Sequence, residues 1–151
     1  MDNPVSQLLK TKGWGLSEGT FERRWFLLRY RLKIVTPPET HTHPMRLSVL
    51  WPYTHETSDE PPSSTQLEEL NRFEELICEA LEHDATAILV AVLTFEGSRH
   101  WVFYTSNVHI CGERISKMPH YGDPYPLQMV AETEPNWDFF LKNLLSLKGQ
   151  G

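Results

Sequence analysis

The chain has 151 residues, a formal net charge of -6 and two cysteines; that length fits one domain, residues 1–151, able to bury about 70% of its unfolded surface. Cys78 and Cys111 form no C-x-x-C pair, which argues against a secreted disulfide scaffold or a thiolate zinc site. No apolar run reaches signal-peptide length at the start or the roughly 20 residues of a membrane span elsewhere, so a soluble, cytoplasmic chain with no membrane partner is expected.

The charge is unevenly spread. Residues 1–50 carry eight Lys and Arg against four Asp and Glu, the remainder six against sixteen, for nets of +4 and -10. An acidic body repels phosphates, which disfavours nucleic acid as a partner and favours a protein with a basic surface.

In chain order, residues 14–20 followed by the aromatic and branched run 21–35 predict a hairpin turning at Glu18-Gly19. Within the run Phe26, Leu28, Tyr30, Leu32 and Ile34 alternate with Leu27, Arg29, Arg31 and Lys33, giving a strand with one apolar and one basic face. Met45, Leu47, Val49 and Trp51 alternate likewise in a second strand, and residues 52–64 read as a solvated connection. Leu67, Leu70, Phe73, Leu76, Ile77, Ala80 and Leu81 recur at helical spacing, predicting a helix over 65–83 with a Thr65/Glu68 capping box. Its other face carries Glu68, Glu69, Arg72, Glu75, Glu79 and Glu82, a solvated face at the least.

Residues 85–95 are almost continuously apolar and predict a central strand, joined by Glu96-Gly97-Ser98 to a strand over 99–105. Ser106 or Asn107 can cap a helix ending near Pro119 and a Gly122-Asp123-Pro124 turn. Residues 125–132 read as a last strand, and Pro135 or Asn136 opens a final helix with Trp137, Phe140, Leu141, Leu144 and Leu145 on one side. The order from Met45 onward is strand, helix, strand, strand, helix, strand, helix. That predicts an α+β fold with a ferredoxin-like β-α-β-β-α-β core, its two helices on one face of an antiparallel sheet, extended by the N-terminal hairpin and closed by a C-terminal helix.

No spacing singles out an active site. His41-Thr42-His43 lacks a nearby third ligand in its Pro-rich loop, and His83, His100, His109 and His120 are scattered over different elements. Gly13-Trp14-Gly15 with Gly19 precedes strand-like sequence and is no phosphate loop. Trp25, Trp101, Phe103 and Tyr104 with Arg29, Arg31 and Lys33 fit either core packing, a protein-binding surface or a stacking platform for single-stranded RNA.

The run Ala-Ile-Leu-Val-Ala-Val-Leu-Thr-Phe-Glu-Gly-Ser-Arg-His-Trp-Val-Phe-Tyr-Thr-Ser at 87–106 resembles the bacterial family six-nine-five of the domains of unknown function, and the related type B inhibitor of ribonuclease E. Stretches 14–21, 66–76 and 132–140 agree with the family's pattern, while Pro61-Pro62 and Glu134-Pro135-Asn136 depart from it. The resemblance implies a module without a described active site, whose relatives act by binding and restraining another protein.

The expected function is therefore a non-catalytic protein-binding module, without cofactor, that inhibits or regulates a partner such as a nuclease or a toxin, as an immunity protein does. Its candidate partner-binding residues are Glu68, Glu75, Glu79, Glu82, Trp25, Arg29, Arg31, Trp101 and Tyr104. The alternatives are a hydrolase using a metal at His41 and His43 or a Cys-His pair, and a sheet that binds single-stranded RNA.

Overall fold

A computed structural model describes residues 3–54, 60–119 and 125–149. Six strands form one antiparallel sheet: β1 (Trp14–Phe21), β2 (Arg24–Arg31), β3 (Met45–Pro52), β4 (Ala87–Phe95), β5 (Ser98–Thr105) and β6 (Gln128–Thr133). Their spatial order is β1-β2-β4-β5-β3-β6, so the N-terminal hairpin extends the sheet beyond β4. The long helices are α2 (Ser64–Glu82) and α3 (Val108–Ser116), preceded near the start by a single turn, α1 (Pro4–Gln7).

The hairpin turns four residues later than Glu18-Gly19. Glu22 and Arg23, both left-handed at φ 52° and 70°, connect Phe21 to Arg24. Such a two-residue turn normally recruits Asn or Gly, but here eight facing pairs from Trp14↔Arg31 to Phe21↔Arg24 fix the register. Gly15 lets the Tyr30 ring lie across the strand pair: a Cβ there would run into the far end of that ring, which would have to swing aside.

Helix α2 begins at a capping box made by Ser63 and Gln66, two residues ahead of the expected Thr65 and Glu68. Its Leu70, Phe73, Ile77 and Leu81 are buried against Leu47, Val49, Trp51, Leu89, Trp101 and Phe103, worth about 1.5–3 kcal/mol per large side chain. Asn107 caps α3 by accepting from the Ile110 amide at 3.0 Å. The second sheet face is also covered: Val5, Leu8, Val35, Trp137, Phe140 and Leu144 pack on Phe26, Leu28, Ile88, Val90, Val102 and Tyr104. The molecule thus has three layers.

The final helix departs from the expected form. Phe139–Leu144 winds as a wide π-helix followed by a tight turn over Leu145–Gly149. Trp137 sits ahead of it at φ 56°, stacked on Tyr104 at 4.4 Å and donating from Nε1 to the His43 carbonyl at 2.8 Å. The Gly122-Asp123-Pro124 turn and His120 lie outside the described residues.

Strand β4 contains a bulge between Leu89 and Ala91. Leu89 and Val92 therefore both face α2, while Val90 and Ala91 both face the other layer.

Candidate functional site

The acidic residues of α2 divide into two groups. Glu68, Glu69, Glu75 and Glu79 are exposed, and among the described residues none of them forms an ion pair. Glu82 instead turns inward: its Oε2 accepts from the Leu89 amide at 2.9 Å and lies 3.5 Å from Nη2 of Arg31. Arg31, expected on a solvent face, is 5% exposed. It donates to the Leu89 carbonyl at 2.7 Å and the Leu8 carbonyl at 2.9 Å, and its guanidinium stands 4.6 Å over the Trp14 ring.

The cause lies in the ladder. The β2–β4 register ends at Tyr30↔Ala91, so Leu89 has no facing residue on β2. Arg31 supplies the donor and Glu82 the acceptor that a further rung would have given the Leu89 backbone. Both side chains are held against burial: desolvation lowers the Arg31 pKa and raises that of Glu82, outweighing their mutual attraction.

Arg29 is likewise turned toward α2, where it pairs with Glu74. The same Glu74 Oε1 accepts from Nε1 of Trp101 at 2.9 Å. Trp101 and Tyr104 are fully buried, which corrects their expected place on a partner-facing surface. Trp101 belongs to the α2-facing core; Tyr104 belongs to the opposite one, where its hydroxyl donates to Glu134 at 3.0 Å and accepts from the Phe140 amide at 3.3 Å. Of the expected aromatics only Trp25 keeps partial exposure, its Nε1 donating to Glu18 at 2.6 Å. With Trp101, Phe103 and Tyr104 buried and helices on both sheet faces, these residues offer no open stacking platform.

Glu74 carries no distinguishing mark in the sequence, although 74, 78 and 82 form one helical stripe beside the apolar one. Cys78 is flanked by Glu74 and Glu82; burial first, and then these carboxylates, push its thiol far up, away from the nucleophilic thiolate. Cys111 is buried against the Thr105 hydroxyl at 3.3 Å, and burial raises its pKa as well.

His41, His43 and His83 make local contacts. His41 contacts Asn136 Oδ1 at 2.8 Å, while buried His43 contacts the Ala85 carbonyl at 2.8 Å and the Thr42 hydroxyl at 2.9 Å. His83 reaches the Glu79 carbonyl one turn back at 3.0 Å, and His109 is exposed. Burial lowers the His100 pKa to about 4. Among the described residues no three His, Cys, Asp or Glu side chains are grouped to hold a metal ion.

A family model, described as a family of unknown function (DUF695), matches residues 12–145. The chain belongs to that family. The match takes in the whole sheet of this DUF695 protein, both long helices and the start of the C-terminal helix. No curated protein and no solved structure matches the chain. Among its described residues no helix is long and apolar enough to cross a membrane.

Proposed function

We propose that this DUF695 protein is a non-catalytic module that binds and restrains a protein partner with a basic surface, such as a nuclease or a toxin. The observation that carries the reading is the division of acids on α2: Glu74 and Glu82 are taken up by Arg29 and Arg31, whereas Glu68, Glu75 and Glu79 face outward with no ion pair among the described residues, and with Arg72 beside them the face still carries a net negative charge. Such a row steers a basic partner and raises its association rate more than its final affinity. Exposed Leu67, on the first turn of α2, supplies apolar area beside it.

The same reading takes β3-α2-β4-β5-α3-β6 as a ferredoxin-like unit, for which the strand order β6-β3-β5-β4 is the support. It also takes the chain as bacterial, cytoplasmic and akin to the type B inhibitor of ribonuclease E; two unpaired thiols suit a reducing compartment.

The test compares capture by the tagged chain with capture by a Glu68→Lys, Glu75→Lys, Glu79→Lys variant, at low and at raised salt. A basic protein retained by the first at low salt, and lost with the variant, is the expected outcome. Equal capture by both proteins at every salt concentration refutes the reading.

A further inference from the structure

Between α2 and the outer hairpin lies a pocket of about 140 Å³, lined by Leu16, Leu27, Arg29, Asn71, Val92, Thr94 and Arg99. Its floor follows from the register. Leu16 faces Arg29, which faces Val92; one row along, Leu27 faces Thr94, which faces Arg99. These two cross-strand rows share the sheet face that carries α2, because directly opposed residues point the same way. Asn71, on the exposed side of the helix, contributes from above.

Arg99 is the unusual member. It is 6% exposed, yet its one hydrogen bond among the described residues runs from Nε to the Thr94 hydroxyl at 3.0 Å. A guanidinium carries five N–H donors; among the described residues Arg46 Nε, and no nitrogen of Arg99, is fully buried without a partner, so the donors that Thr94 leaves over keep an accessible edge on the pocket. The nearest carboxylate, Glu74, is already shared between Arg29 and Trp101. Burial lowers the Arg99 pKa, Glu74 opposes that shift and Arg29 adds to it, so the two arginines share one electrostatic environment.

We propose that this pocket binds a single carboxylate group carrying a short aliphatic chain, received by Arg99 and Arg29 with Leu16, Leu27 and Val92 against the chain. Two arginines against one glutamate leave one positive charge in excess, which a monoanion neutralises and a phosphate dianion overshoots. The planar fork of a guanidinium matches a carboxylate with two parallel hydrogen bonds. The volume equals that of about four to five water molecules, which limits the occupant to one acidic group and a few carbons. Such a group occurs in a free short-chain acid and at the C-terminus of a polypeptide; the pocket reads the chemistry common to both.

The experiment is a proton–nitrogen NMR titration of the full chain at constant ionic strength, following the Trp101 indole and Arg99 Nε signals. Butyrate is expected to shift both saturably, while butyramide, of the same shape without charge, leaves them in place. Arg99→Met should weaken butyrate binding about ten- to hundredfold, the loss of one charged hydrogen-bonding partner. Asn71→Trp, at an exposed helical position that leaves the core intact, should block the pocket and abolish the shifts. An acetylated dipeptide ending in valine separates the sources: binding tighter than butyrate assigns the pocket to a polypeptide C-terminus, weaker binding to a free acid. No saturable shift with either carboxylate up to about 100 mM, equal shifts with butyramide, or butyrate binding unchanged in both variants overturns the proposal.

Discussion

Replacing Arg31 with Met is expected to destabilise the fold by about 3–5 kcal/mol, because it leaves Glu82 buried without its cation. Replacing Glu82 with Leu leaves Arg31 in the same position and should cost a similar amount. Treated as independent, the two changes would together cost about 6–10 kcal/mol. The double variant removes both charges, and what remains is the loss of partners for the Leu89 amide and carbonyl and the Leu8 carbonyl. At about 1–3 kcal/mol for each unsatisfied group, softened by water reaching the sheet margin, its cost should be about 3–5 kcal/mol, no greater than that of either single change.

Urea unfolding of the four proteins, followed by tryptophan fluorescence, gives the coupling energy directly. The pH dependence supplies a second reading. The folded-state pKa of Glu82 is raised, chiefly by burial, so its contribution to stability is full below the unfolded value near 4.5 and is lost as pH rises through the folded value. In Arg31→Met the cation that opposes this shift is gone, so the loss extends to higher pH and the variant is least destabilised in mild acid. Strict additivity of the two substitutions, with a pH-independent cost for Arg31→Met, would refute the argument that these side chains stand in for a missing strand rung.

Other consequences are more local. Glu74→Leu strips a buried Trp101 N–H of its acceptor and should cost about 1–3 kcal/mol in the same assay, with little added from Arg29, whose side chain is 36% exposed and recovers water. Gly15→Ala should destabilise the hairpin and raise amide exchange in β1 and β2, since the new methyl meets the Tyr30 ring. Neither Cys78 nor Cys111 should react with a thiol reagent at pH 8 faster than the chain opens, because burial raises both thiol pKa values; fast native-state labelling of either would contradict this. His100, lowered from 6.5 to about 4, binds a proton more readily when unfolded, so the stability it contributes is present above pH 6.5 and declines toward pH 4. Unfolding curves of His100→Asn should flatten in that window.

How far the sequence discloses this molecule depends on whether a signal is local. Alternation at Met45, Leu47, Val49 and Trp51 and the 70, 73, 77, 81 stripe each report a buried face, and both faces exist as expected. The same alternation at Arg29 and Arg31 reports two faces but not which one meets water. Charge suggests solvent; α2, arriving from 45 to 51 residues away in sequence, instead brings Glu74 to Arg29 and Glu82 to Arg31. The turn at Glu22-Arg23 is silent because neither residue is a turn former, and the ladder rather than local preference places it. The bulge after Leu89 is hidden for a different reason. In a strand buried on both faces, slipping one residue exchanges one apolar side chain for another, so residues 87–93 read the same with or without it. Yet the bulge puts Leu89 and Val92 on one face and leaves Val92 beside Arg29 on the floor of the pocket, while the end of the β2 ladder at Ala91 leaves the Leu89 backbone to Arg31 and Glu82. A choice of register invisible in composition thereby decides which charged groups are spent on the fold, and Arg99, one row away with four donors uncommitted among the described residues, is what remains available for a ligand.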